Sequence, residues 1–109
     1  IGCLIQVDAG SVLGTLGKAA QIASEAIIKN RWCQILCSDA HDNRNRNFNL
    51  KDAFEIVENW IGKNAHNLVY DNPKAVLSGA IVKIDPNDNI YNKEDNVWKK
   101  IMLKMSKLK

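Results

Sequence analysis

The chain has 109 residues, 46% of them hydrophobic and 25% charged, and carries a net charge of +3. That length suffices for one small domain with a modest core, and no apolar run approaches the ~18 residues that a membrane span requires. The charge is uneven: residues 97–109 hold five lysines and no acid, which leaves residues 1–96 at −2 and excludes nucleic-acid binding by the body on charge.

The chain opens in an apolar stretch, and residues 3–9 (C-L-I-Q-V-D-A) read as a buried strand. Gly10 and Ser11 break it. Leu16, Ala19, Ala20, Ala23, Ala26 and Ile27 then recur at helical spacing, with Lys18, Gln21, Glu25 and Lys29 between them, so the spacing predicts an amphipathic helix over 15–29. Asn30 suits its C-terminal end.

A second strand is expected over 32–38. Cys33, Ile35, Cys37 and Asp39 share one side by the period of two. If that side faces a barrel interior, Asp39 stands at the rim above a packed stack. Strand, helix, strand over this length implies parallel strands joined by a crossover, hence an α/β fold.

Asn49 begins the next helix, with Asp52 placed for a capping-box interaction. Ala53, Phe54, Val57, Trp60 and Ile61 form its apolar stripe, and Gly62 stops it. A short helix follows, capped by Asp71 or Asn72 and carrying Pro73 in its first turn. Val76 and Leu77 are its expected buried contacts, and Gly79 ends it. Ile81 to Ile84 read as a short strand or an extended segment.

Residues 85–96, rich in Asn, Asp and Lys with a Pro-Asn turn, read as a linker. Residues 97–109 recover helical periodicity, with Trp98, Ile101, Met102, Met105 and Leu108 on one face. The expected organisation is therefore a body over 1–84, a linker over 85–96 and a basic amphipathic tail over 97–109.

Chemistry concentrates where the second strand ends. Residues 37–48 read C-S-D-A-H-D-N-R-N-R-N-F. A carboxylate and an imidazole, Asp39 and His41, can bind a divalent metal, and Arg44 and Arg46 can clamp a phosphate. α/β barrels build their active sites at the exits of buried strands. The alternative is a polar turn with a solvated charge run, because two candidate ligands do not complete a site. The three cysteines, Cys3, Cys33 and Cys37, suit a reducing cytoplasm and read as buried thiols. His66, the other histidine, reads as a surface residue.

The run D-A-G-S-V-L-G-T-L-G-K-A-A (Asp8 to Ala20), followed by S-D-A-H-D-N-R-N-R-N-F (Ser38 to Phe48), resembles the C-terminal part of the bacterial PHP-type protein-tyrosine phosphatases of capsule and exopolysaccharide operons. In that family a Q-V-T-A-G-S-L-like strand end precedes a helix with a G-K start, here Gln6 to Leu13 and Gly17-Lys18. A second strand ends in S-D-x-H with an Arg five residues on, here Ser38 to His41 and Arg46. The segment Asp71 to Gly79 resembles a further family motif, so the likeness spans about residues 4–82.

The resemblance implies a distorted barrel of alternating strands and helices with a manganese-preferring metal cluster at the strand C-termini. It implies hydrolysis of phosphotyrosine on a membrane-associated kinase that controls polysaccharide assembly, in the cytoplasm or at the inner membrane face. Asp39 and His41 would be metal ligands and Arg46 a phosphate-binding catalytic residue. Arg44 has no counterpart, and Asp8 stands where the family has Thr, free either to touch a metal or to cap the following helix. The family's H-x-H motif and its other early ligands are missing from these residues. A full barrel takes ~250 residues, so the chain alone is expected to be inactive and, through its uncovered strand faces, to form oligomers or aggregates. A different PHP-type phosphoesterase, such as a histidinol-phosphate phosphatase, and a non-catalytic fragment are the other readings. The tail could lie on an anionic membrane, dock on a partner, or merely solubilise.

Overall fold

A computed structural model describes residues 2–44, 47–84 and 94–108. Two short strands, β1 (Gln6–Asp8) and β2 (Ile35–Cys37), pair in parallel with Gln6 opposite Ile35, Val7 opposite Leu36 and Asp8 opposite Cys37. Both are shorter than the expected strands. The pairing is extended at its N-terminal end by Gln34: its backbone N–H donates to the Ile5 carbonyl (2.9 Å), and its side-chain Oε1 accepts from the Ile5 N–H (2.8 Å).

Helix α1 (Ala9–Leu13) starts where the sequence suggested only a break. Two features make it possible. The Asp8 side chain caps it, and Gly14 closes it in the left-handed region at φ 81°, returning its N–H to the Gly10 and Ser11 carbonyls. Ala9 and Val12, both fully buried, anchor it to the core. A side chain at Gly14 would also crowd the Gln21 amide, at 3.1 Å from a new Cβ. The amphipathic pattern read over 15–29 thus begins as helix only at α2 (Lys18–Lys29), after Gly17 at φ 102°.

Helix α3 (Leu50–Ile61) runs as the apolar stripe predicts, with Ala53 and Val57 fully buried and Gly62 at its end. A short 3₁₀ turn (Gly62–Asn64) and a π turn (Asn67–Asp71) lead directly into α4 (Asn72–Ser78), so Asp71 lies inside a continuous helical run and makes no cap. Its carboxylate instead lies 3.3 Å from Nδ1 of His66, which is on the surface as expected. Pro73 and Gly79 bracket α4 as read from the sequence. Its expected contacts, however, do not form: Val76 is 45% and Leu77 90% exposed. Helix α4 is held at its other end, where Asn72 Nδ2 donates to the Gln34 carbonyl (2.8 Å) and neighbouring Leu68 is buried. Ile81 to Ile84 form no strand.

The core is one cluster. Val7 and Leu36 from the strands meet Val12, Ile28, Ala53, Val57 and Leu68 from the helices. The helices therefore cover the Val7 and Leu36 side of the sheet. By the period of two, Gln6, Asp8, Ile35 and Cys37 face the other way, and that side is only partly covered. Cys33 is in the core, Cys37 half-buried and Cys3 exposed, which corrects the expectation that all three thiols are buried; all are unbridged.

The linker expected over 85–96 falls largely outside the described residues, and its last three residues belong to helix α5 (Glu94–Ser106), which begins earlier than the tail boundary at 97. Helix α5 lies against α2. Ile101 is 4% exposed and Met105 half-buried, whereas Met102 and Leu108, expected on the same face, are exposed.

Candidate functional site

Parallel pairing puts the C-terminal ends of β1 and β2 side by side, Asp8 next to Cys37. A cleft of about 180 Å³ opens just beyond them, lined by Asp8, Gly10, Ser38, Asp39, Asn47 and Asn49 among others. Gly10 contributes by lacking a side chain: a Cβ there would lie 3.0 Å from Thr15 Oγ1 and 3.1 Å from Asp8 Oδ1, filling that wall.

Asp39 follows the last strand residues in a left-handed backbone conformation, φ 48°. Asp tolerates this region better than most residues, because its short polar side chain can bond locally. The turn interrupts the strand's alternation, so the side on which Asp39 stands is set by this turn and not by the period of two. The turn also carries the chain back over itself, and Nδ1 of His41 reaches the Asp39 carbonyl at 2.7 Å. A carbonyl can only accept, so Nδ1 carries the proton and the lone pair resides on Nε2. Such a bond orients a metal-ligating histidine and fixes its tautomer. The Asp39 carboxylate lies 3.9 Å from the same Nδ1, and both side chains are about half exposed.

Asp8 has its role decided by two hydrogen bonds. Oδ1 accepts from the Ser11 N–H (2.8 Å) and Oδ2 from the Ser11 hydroxyl (2.9 Å). Both oxygens are thus used in capping α1. Asp8→Ala is expected to cost about 1 kcal/mol, the usual effect of losing an N-cap, and Asp8→Asn distinctly less. A urea titration of the three proteins checks this; an unchanged midpoint in Asp8→Ala would mean that the cap is idle.

Asn49 was read from sequence as a helix cap, but its side chain makes no capping bond. Its Oδ1 is instead buried without a hydrogen-bond partner. An orphaned acceptor of this kind costs about 1–3 kcal/mol, and here it belongs to a residue of the cleft wall. Sequence reasoning missed it, because Asn immediately before an apolar stripe signals a cap.

Arg44 sits at the exposed surface in a turn closed by its own N–H donating to Asp42 Oδ1 (2.8 Å). Arg46, the expected phosphate clamp, lies outside the described residues. Cys37 has no feature of a nucleophile: burial pushes its thiol above the ordinary range, against a lowering backbone hydrogen bond at Asp39, and the Asp39 and Asp8 carboxylates raise it further. Cys33 is pushed up to about 11, again chiefly by burial.

The Asp39 carboxylate and the His41 imidazole, donors of the kind a hard or borderline divalent cation takes, leave the same turn. They amount to part of a site. Among the described residues no group of three or more His, Cys, Asp or Glu side chains is placed to hold a metal.

The sequence profile described as capsular polysaccharide synthesis, CpsB/CapC, matches residues 1–78. The tyrosine-protein phosphatase YwqE of Bacillus subtilis (strain 168) is 25% identical over 85 residues, covering 78% of this chain and 34% of YwqE. In a crystallographic study of YwqE from Bacillus subtilis and CpsB from Streptococcus pneumoniae, described as unique metal-dependent tyrosine phosphatases, one chain superposes with a TM-score of 0.65. That match has 24% identity and covers 72% of this chain and 32% of the other, and it shows a shared fold. The chain thus spans about a third of the length of the relatives it matches.

Proposed function

Because this chain belongs to the capsular polysaccharide synthesis family CpsB/CapC, we propose that it serves the metal-dependent hydrolysis of phosphotyrosine on a bacterial tyrosine kinase that regulates capsular or exopolysaccharide synthesis. The observation that carries this reading is the strand-end geometry: Asp39 lines a cleft beyond the second of two adjacent strand C-termini, and its carbonyl holds Nδ1 of His41 two residues on. In this reading residues 1–84 form the C-terminal part of a distorted PHP barrel, and the remaining metal ligands stand on its other strands. The protein works in the cytoplasm at the inner membrane face.

Asp39 through its carboxylate and His41 through Nε2 would hold the metal, manganese by preference. What a bound divalent cation supplies is Lewis acidity and charge neutralisation at a phosphoryl group. Arg46 holds the phosphate oxygens through its planar fork. Cys37, with its raised pKa, stays a protonated packing residue.

The test compares hydrolysis of a phosphotyrosine peptide with that of histidinol phosphate, each with manganese added. Preference for the peptide supports the reading. Preference for histidinol phosphate transfers the same Asp39 and His41 pair to a different phosphoesterase, and no hydrolysis of either leaves this chain as a non-catalytic unit. In an active protein, Arg46→Ala is expected to lower turnover roughly 100-fold with metal content unchanged. Arg46→Lys should recover only part of it, since an ammonium offers a point charge and no fork. A larger loss in Arg44→Ala than in Arg46→Ala would show that the clamp is Arg44.

A further inference from the structure

The packing of α5 divides its side chains into two sets. Ile101 and Met105 are spent on α2. By the period of 3.6 residues, Lys99, Lys100, Leu103 and Lys107 then fall on the outward half, with Met102 and Lys104 at its margins. Met102 is 64% and Leu103 58% exposed, so two large apolar side chains stand among lysines at the surface, Leu103 at the edge of the seam with α2.

A cleft of about 500 Å³ runs along the seam with α2, with Ile22, Ala26 and Leu103 in its apolar lining and Lys100, Lys104 and Lys107 beside them. The one acid in the cleft lining, Glu25, is paired with Lys29, whose ammonium also lies 5.6 Å from the Trp60 ring centre. Lys100, Lys104 and Lys107 have no ion-pair partner among the described residues. The acids of α5, Glu94 and Asp95, are confined to its first turn, and none occurs in residues 97–109.

We propose that this outward face of α5 is a docking surface for a bilayer carrying anionic phospholipids. The lysines meet the headgroup phosphates, and Met102 and Leu103 enter the boundary between headgroups and acyl chains. A bilayer surface takes both kinds of side chain at once, its phosphates meeting lysines and its headgroup–acyl boundary meeting apolar groups. An acidic polypeptide would satisfy the charges but leave Met102, on the opposite margin from the cleft, uncovered. Helix α2 lies behind α5, so the helix rests on the surface and the body is held beside the membrane. This inference is independent of the phosphatase reading.

The experiment is sedimentation of the protein with vesicles of phosphatidylcholine, with and without phosphatidylglycerol, over a range of salt. The expected result is binding to the anionic vesicles alone, weakening as salt rises. The triple variant Lys100→Gln, Lys104→Gln, Lys107→Gln should bind roughly 100-fold more weakly, since each basic residue near such a surface adds about fivefold. Met102→Ser with Leu103→Ser should bind more weakly than wild type while keeping its salt dependence. Circular dichroism of each variant shows that α5 remains folded; if the triple variant loses helix, the Met102 and Leu103 variant and the salt series decide. Equal binding to neutral vesicles, no binding to either, or tighter capture by polyglutamate than by anionic vesicles would each overturn the proposal.

Discussion

In an active protein, replacing Asp39 or His41 by alanine is expected to abolish phosphatase activity and to lower manganese binding by at least ~100-fold. On the proposed reading each removes a direct donor to the cation, and even residues that only orient such donors typically cost 10–100-fold in metal affinity or activity. The two losses should look alike, because both side chains leave one turn, where the Asp39 carbonyl holds His41 Nδ1 at 2.7 Å. Asp39→Asn is the sharper variant. Asn also tolerates the left-handed backbone at φ 48°, so it keeps the turn and the His41 hydrogen bond while removing the charge. Its circular dichroism should match wild type while its metal titration does not. Cys37→Ser should stay active, because a thiol whose pKa is raised by burial and by two nearby carboxylates is not the nucleophile. Wild-type turnover or metal affinity in Asp39→Asn would remove Asp39 from the site, and loss of activity in a folded Cys37→Ser protein would point to thiol chemistry.

The largest effect on stability is expected from Leu36→Ala, which should cost about 2–5 kcal/mol. Leu36 is 2% exposed, pairs with Val7 across the sheet and sits in the cluster that joins both strands to α1, α2 and α3. A loss of that size is a large part of the ~5–15 kcal/mol that folded domains have in total. The strand end that presents Asp39 would be lost with it. Leu77→Ala is the matched control: Leu77 is 90% exposed, and its truncation should stay within ~0.5 kcal/mol. Urea titrations of the two variants make the comparison. Equal losses would mean that Leu77 is covered in solution, as its place in the sequence pattern suggests.

Much of this architecture is determined locally. The alternation of apolar runs and amphipathic stretches specifies the order of strands and helices, because a helix must bury a stripe and a strand a side. Glycine and proline set several limits for reasons confined to their own backbone: Gly17 before α2, Gly62 after α3, Pro73 and Gly79 around α4. Asp39 and His41 stand out at the exit of a buried strand, and their motif carries the family likeness, although a solvated polar turn has the same local signature.

What periodicity leaves open is which surface each face meets. Val76 and Leu77 have the spacing of a buried pair, yet α4 is held by Asn72 and by the preceding turn, and they face outward. In α5 the stripe read as continuous is divided by the position of α2, against which Ile101 and Met105 are covered while Met102 stays exposed. Asp8 could have been a ligand or a cap until Ser11 came within reach of both its oxygens. Asn49 has the sequence signature of a cap, and only the packing around it leaves Oδ1 buried and unpartnered. The left-handed turn at Asp39, which directs His41, likewise depends on where β2 ends against β1. Spacing along a chain fixes which side chains share a side, but a hydrogen bond or a buried contact needs the position of a second element. That position is supplied by the packing of the whole core.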